Sequence, residues 1–142
     1  MKTNRARLSF SLAVIYATVA SAQPQKSRYK YQNDAQIYAE IAKAPEKARA
    51  KANPLADDTD AVPAGAILFA QHCAECHGST AEGSKKAPSL RVSQVQEAPP
   101  GAIFWILTNG VVRRGMPVWS KLPEPQRWQL IAYLRSLGPE PR

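Results

Sequence analysis

Both cysteines and both histidines of the chain fall between His72 and His77, in the stretch QHCAECHG that runs from Gln71 to Gly78. Two thiols and an imidazole this close together suit few chemistries. A structural zinc site needs four Cys/His ligands set as a tetrahedron, and the four here are crowded into one run that cannot readily surround an ion. A redox C-x-x-C opens a helix behind a strand in a thioredoxin-like βαβ unit, whereas no strand pattern surrounds this pair. A disulfide across two residues is strained. Cys73-Ala74-Glu75-Cys76-His77 does match C-x-x-C-H, the attachment pattern of c-type haem. Two intervening residues place the thiols about one helical turn apart. Each thiol can then add to one vinyl group at the porphyrin edge, with His77 carried under the iron as an axial ligand.

The second axial position decides what such an iron can do. Met116 is the only methionine besides Met1, and His72 is the only other histidine. His72 directly precedes Cys73 on the attachment segment, which ties it to the same side of the haem as His77 and makes it a bystander. Met116 lies far downstream in RRGMPVW, where Gly115 lets the backbone approach and Pro117 stiffens the chain behind the sulfur. A lone Met is commonly core filling; in a haem protein with no other donor it becomes the candidate sixth ligand. A His/Met pair saturates the iron and raises its potential. The function expected is electron transfer and not enzymatic turnover.

The elements that must position these groups are helical. Asp60 can cap a helix with Pro63 in its first turn, and Ile67, Leu68, Cys73 and Cys76, with Phe69 beside them, fit one amphipathic helix that carries the cysteines at its C-terminal end. GAIFWILTNG, from Gly101 to Gly110, reads as a second helix stopped by Asn109-Gly110. From Pro123 to Gly138 a third places Trp128, Ile131, Leu134 and Leu137 on one stripe. The Gly/Ser/Pro-rich stretch after Gly78 reads as loop, and VVRRGMPVWSKL as extended chain. So long an irregular segment in a small domain needs an organiser, and a porphyrin supplies one. With so little apolar surface of its own, the haem-free chain is expected to be largely unfolded.

Before the haem domain lie two further regions. Residues 1–22 read as a cleavable signal peptide: Lys2, Arg5 and Arg7, an apolar stretch from Leu8, and Ala20-Ser21-Ala22 before Gln23. The apolar stretch is shorter than the roughly 20 residues of a membrane span, so no stable span is expected and the chain is placed in the periplasm. Residues 23–56 form a polar, Ala/Lys-rich extension with Tyr31, Ile37, Tyr38 and Ile41 as its large apolar residues, and Asp34 as cap of a short helix ending near Lys43. Residues 57–142 form the haem domain. Taking the leader's three cations from a net charge of +8 leaves +5, concentrated in the extension. Such an excess solubilises the segment or meets an acidic partner; nucleic acid is not expected of an exported chain without an aromatic-basic platform.

With C-x-x-C-H, a downstream Met-Pro and QLIAYLRSL in hand, the chain from about Asp60 to Gly138 resembles the class I (monohaem) c-type cytochromes of the bacterial periplasm. The resemblance implies an all-α cytochrome c fold, three to four short helices and loops wrapped around one covalently attached haem c. In that family a G-x-x-x-F helix crosses an L-x-x-Y helix; Gly65 and Phe69, and Leu130 and Tyr133, stand at those places. Pro88 matches the proline whose carbonyl accepts the proton of the ligand histidine, and Leu90 the leucine packed on the ring. Trp105 and Trp119, flanking the haem, are candidates to donate an indole N–H to a propionate or to pack as plain aromatics. Arg113 and Arg114 are candidates for propionate pairing, for the rim where a partner docks, or for solvated loop residues. The extension is similar to leaders of cytochromes serving quinoprotein dehydrogenases, and is expected to clasp the haem domain through Pro54 and Leu55.

The expected protein is thus a monomeric electron carrier whose redox partners are a periplasmic dehydrogenase or a respiratory complex. The competing classes are a haem enzyme or gas and redox sensor with a labile Met116, and a docking subunit of a larger oxidoreductase.

Overall fold

A computed structural model of the chain describes Ala35 and residues 38–139. The leader, Asp34, Tyr31 and Ile37 lie outside the described residues, and with them the signal-peptide and capping expectations. Residues 38–42 are helical. The segments that follow are α1 Glu46–Arg49, α2 Ala61–His72, α3 Ala74–His77, α4 Ser93–Gln96, α5 Pro100–Asn109, a 3-10 turn Val112–Arg114, and α6 Glu124–Ser136. Among the described residues there is no strand, only one antiparallel bridge between Val111 and Met116. The all-α expectation holds.

The frame is the crossing of α2 and α6. A Cβ built on Gly65 would stand 2.0 Å from the Gln129 carbonyl oxygen and 2.8 Å from Tyr133 Cβ, so only glycine lets the two backbones meet. Phe69, 1% exposed, packs one turn on with its ring centroid 5.3 Å from that of Tyr133. Burying such a side chain contributes about 1.5–3 kcal/mol. The close approach also sets the rotation of α2: Ala61, Gly65 and Phe69 point inward, and Ile67 is left 61% exposed. The expected Ile67 stripe is therefore corrected; its neighbours face the core and it faces out.

Two local expectations also change. Asp60 occupies the N-cap position of α2 without a side-chain cap; Asp58 Oδ1 instead accepts the Asp60 amide at 2.9 Å. The helix does not run unbroken through the cysteines. It ends at His72, Cys73 departs to φ −121°, and α3 restarts at Ala74. α5 and α6 follow the sequence closely. Pro99 and Pro123 stand at their N-caps, and Gly110 ends α5 at φ +68°, its amide donating to the Ile106 carbonyl at 2.7 Å. Trp128, Ile131 and Leu134 are buried along α6, joined by Leu130.

The long segment between Gly78 and Pro99 contains α4, which its composition hides, and polar side chains hold it. The Arg135 guanidinium donates to the carbonyls of Val95, Gln96 and Ala98, the C-terminal end of α4 and the turn beyond it. Arg91 reaches the Leu137 carbonyl at 3.2 Å, and Gln96 Nε2 bridges the carbonyls of Leu90 at 2.8 Å and Leu134 at 3.1 Å. Charged donors near a helix end satisfy carbonyls that the helix itself leaves unpaired.

The extension lies against this body. A Cβ on Gly101 would stand 1.9 Å from the Ala48 carbonyl oxygen, which marks how closely α1 approaches the start of α5. Lys51 Nζ sits 5.7 Å from the Phe104 ring centroid, and Asn53 Nδ2 donates to the Trp128 carbonyl at 3.1 Å. Leu55 packs on the core as expected, whereas Pro54 stays exposed. The stronger anchor is Tyr38, buried in the core with its hydroxyl donating to the Ser89 carbonyl at 2.6 Å.

Candidate functional site

The elements enclose a cavity of about 630 Å³, a size typical of ligand and cofactor sites. One side comes from α2 and α3 with Phe69, Cys73, Cys76 and His77; α5 brings Ile103, Ile106 and Leu107, and α6 brings Leu130 and Leu134. Pro88 and Leu90 contribute from the loop, Met116 and Trp119 from the segment after α5, and Tyr38 and Ile41 from the extension. Cys73, Cys76, His77, Pro88, Leu90, Met116 and Trp119 therefore meet at a single cavity. Trp105 is the exception. It sits half-buried on a different face of α5 from Ile103, Ile106 and Leu107 and does not line the cavity.

The break at Cys73 makes the two thiols unlike. Cys76 is exposed at the cavity edge, whereas burial, with a smaller contribution from Cys76, pushes the Cys73 thiol up to about 11. No disulfide joins them. Ser84 Oγ donates to the Cys76 carbonyl, and Glu75, inside the motif, pairs with Lys86 at 2.7 Å across to the loop. That carboxyl is held below the usual range by the Lys86 hydrogen bond first and its charge second.

His77 is oriented as a metal ligand requires. Its Nδ1 lies 2.9 Å from the Pro88 carbonyl oxygen. A carbonyl only accepts, so Nδ1 carries the proton and the Nε2 lone pair is left for coordination. Burial lowers the histidine's pKa, with the Pro88 hydrogen bond opposing, which favours the neutral imidazole that ligates metals. Pro88 thus sits where the resemblance places it. The Pro88–Ser89 peptide is itself tightly seated: a Cβ on Gly83 would stand 2.5 Å from the Ser89 nitrogen.

Met116 reaches the cavity from a tight return. Val111 and Met116 exchange backbone hydrogen bonds at 3.1 and 3.3 Å, and the 3-10 turn between them closes through Gly115 at φ +86°. Gly115 stands in the left-handed region, which favours glycine, and no protein atom lies within 4 Å of where its Cβ would stand. Close approach occurs at Gly110, whose Cβ would meet the Met116 and Pro117 carbonyls at 2.8 and 2.7 Å. Trp119 follows, its amide donating to the Leu107 carbonyl at 2.9 Å and its ring centroid 5.3 Å from that of His72. His72 therefore lines the cavity too, but from the segment that carries Cys73. Met116 arrives from a separate element. Arg114 lines the cavity, and Arg113 is exposed beside it in the 3-10 turn.

An apolar cavity presenting two thiols, an imidazole with Nδ1 engaged and a thioether fits a c-type haem. Among the described residues no group of three or more His, Cys, Asp and Glu gathers to hold a metal ion by itself. The family of cytochrome C oxidase, cbb3-type, subunit III matches residues 60–134. The chain belongs to this family. Its cofactor is covalently bound haem c, as its c-type cytochrome domain implies. It is 32% identical over 123 residues to the cbb3-type cytochrome c oxidase subunit CcoP of Rubrivivax gelatinosus, covering 85% of this chain and 38% of that one. Against the cbb3-type subunit FixP of Azorhizobium caulinodans it is 30% identical over 105 residues, covering 70% and 35%. The chain thus spans little more than a third of the length of these relatives. The CcoP alignment is longer than the stretch from 60 to 134, so the likeness reaches beyond the residues that the family matches. No solved structure matches the chain.

Sequence reasoning missed three groups around the site. Tyr38 was visible only as one aromatic in a polar extension. Arg135 and Gln96, which hold the loop, carry no sequence signal beyond being polar residues in or near helices.

Proposed function

We propose that the chain is an exported, periplasmic carrier of single electrons, with one haem c on Cys73 and Cys76 and its iron between His77 and Met116. The observation that carries this reading is that the Met116 thioether and the His77 imidazole line one cavity from two different elements, the imidazole fixed through Nδ1 by Pro88. A His/Met-ligated haem supplies one-electron exchange at a raised potential with no iron position left for substrate. The chain's own residues supply the rest. Leu90, Ile103 and Leu107 exclude water from the site, and the Pro88 carbonyl keeps the His77 proton on Nδ1. Val112, Arg113 and Val118, all exposed around Met116, form the rim where a partner docks. The leader predicted at 1–22 supports export, and among the described residues no helix is long and apolar enough to cross a membrane.

The likeness to two oxidase subunits favours a respiratory oxidoreductase complex over a periplasmic dehydrogenase as partner. The same likeness favours a second reading, in which the chain is a resident subunit of such a complex. Gentle extraction followed by size separation and haem staining distinguishes them: a free monomer supports the carrier, a large haem-stained assembly the subunit. The electron-transfer reading is tested on the purified holoprotein. The oxidised form should show the weak red band of a Met–iron(III) bond, and the reduced form should refuse carbon monoxide. Rapid carbon monoxide binding without that band would overturn the reading in favour of a sensor or enzyme with a labile Met116.

A further inference from the structure

His77 donates to the Pro88 carbonyl, and the next carbonyl along, that of Ser89, accepts the hydroxyl of Tyr38 at 2.6 Å. Tyr38 is not part of the haem domain. It belongs to the extension, is buried in the core, and lines the cavity beside Ile41. The peptide between these two carbonyls has little freedom elsewhere: Gly83 is pressed against it, Ser89 Oγ donates to the Ala81 carbonyl at 3.3 Å, and the Leu90 amide donates to the same carbonyl at 2.8 Å. Those three contacts come from within the loop and move with it. The Tyr38 bond ties the loop to a separate segment, itself anchored by Asn53 on Trp128 and by the approach of Ala48 to Gly101.

We infer that Tyr38 is a positioning residue for the iron-binding histidine: by holding the Ser89 carbonyl it keeps the Pro88 carbonyl aimed at His77 Nδ1, and so couples the N-terminal extension to the redox properties of the haem. The inference rests on His77 being an axial ligand. A hydrogen bond from Nδ1–H raises the basicity of the ligating imidazole, and a more basic ligand favours oxidised iron. Loosening the Pro88 carbonyl weakens that bond and favours reduced iron. The extension thereby holds the potential down without touching the iron.

The test compares Tyr38→Phe with Leu55→Ala, which packs on the core outside the cavity wall, in the full-length holoprotein. The first removes one hydroxyl and keeps the ring; the second removes apolar packing from the same segment and keeps the hydroxyl. In the diamagnetic reduced protein, Tyr38→Phe should speed solvent exchange of the His77 Nδ1 proton about fivefold, the protection one hydrogen bond gives. The oxidised–reduced equilibrium should tilt about twofold toward the reduced form, which is ~18 mV upward at 59 mV per tenfold for one electron. Leu55→Ala should lower thermal stability and leave both readouts in place.

Unchanged exchange and potential in Tyr38→Phe would overturn the proposal, as would Leu55→Ala moving them equally, because the effect would then be general loosening. Should Tyr38→Phe yield no holoprotein, the unaltered protein answers the question through denaturant-dependent exchange below global unfolding. Parallel exposure of the Tyr38 hydroxyl and His77 Nδ1 protons supports the coupling, and independent exposure overturns it. Failure of the underlying ligation is separately visible, since the unaltered holoprotein would then lack a low-spin histidine-ligated spectrum.

Discussion

The two halves of the cavity wall are built on different physics. On one side, α2 and α6 cross at Gly65 with Phe69, Leu130 and Ile131 almost wholly buried, a wall made of apolar packing and one close backbone approach. On the other, residues 79–99 have a single short helix and are held by directed hydrogen bonds from Tyr38, Arg91, Gln96 and Arg135. Packing tolerates exchange of like for like, whereas a directed bond is lost outright when its donor goes. The frame should therefore fail by steric change and the loop by loss of single polar groups.

The largest effect expected is on the frame. Gly65→Val places a branched side chain where even a Cβ meets the Gln129 carbonyl at 2.0 Å, and that oxygen is backbone and cannot step aside. The loss should exceed about 3 kcal/mol, the upper end of ordinary overpacking, and be read as little or no haem-loaded protein recovered. A variant that melts like the parent would show that the helices do not cross as described.

Met116→Ala acts on the proposed chemistry from the segment after α5, outside both walls. Covalent haem should remain, since Cys73 and Cys76 are untouched. The red band of the oxidised form should vanish, the potential fall, and the reduced form bind carbon monoxide. Thermal melting should drop by about 2 kcal/mol, the low end for truncating an apolar residue, because Met116 is only half-buried. An unchanged spectrum would show that Met116 is not the second axial ligand.

How far the sequence foretells these two walls differs for the same physical reason. Periodicity reports apolar burial, so α5 and α6 were legible almost to the residue, and Cys73, Cys76, His77 and Met116 follow from motif chemistry, with Pro88 implied by the family resemblance. Hydrogen bonds from long polar side chains leave no period. Arg135 looks like a solvated helix residue, and only the fold shows it turned onto α4; α4 itself is too short to display a pattern. The break at Cys73 was hidden because C-x-x-C-H is compatible with a continuous helix and with an interrupted one. The rotation of α2 was misjudged because Ile67 is apolar, while the constraint that fixes the rotation is the absence of a side chain at Gly65.

Arg135→Met isolates the polar half. Methionine keeps much of the stem's apolar contact and removes the guanidinium donors to the carbonyls of Val95, Gln96 and Ala98, of which that of Val95 keeps the Ala98 amide at 3.3 Å. Leaving part-buried carbonyls unpaired should cost about 1–3 kcal/mol, measured by thermal melting of the holoprotein. The absorption spectrum should not change, because none of these carbonyls touches His77 or Met116. If melting is unmoved, water replaces the guanidinium without loss and the loop owes its order to the cavity wall instead.

The smallest effect sharpens the comparison most. Ile67 and Phe69 are both large and apolar, two residues apart on α2, yet one is 61% and the other 1% exposed. Ile67→Ser should change stability by less than about 0.5 kcal/mol, as surface replacements do, and melt with the parent. Phe69→Ser should cost at least about 3 kcal/mol, the scale of truncating a buried aromatic, with a further penalty for burying a hydroxyl. The ratio of the two effects measures the rotation of α2 directly. A costly Ile67→Ser paired with a mild Phe69→Ser would mean the helix turns its other face inward, and Gly65 could then no longer be the point where α2 and α6 meet.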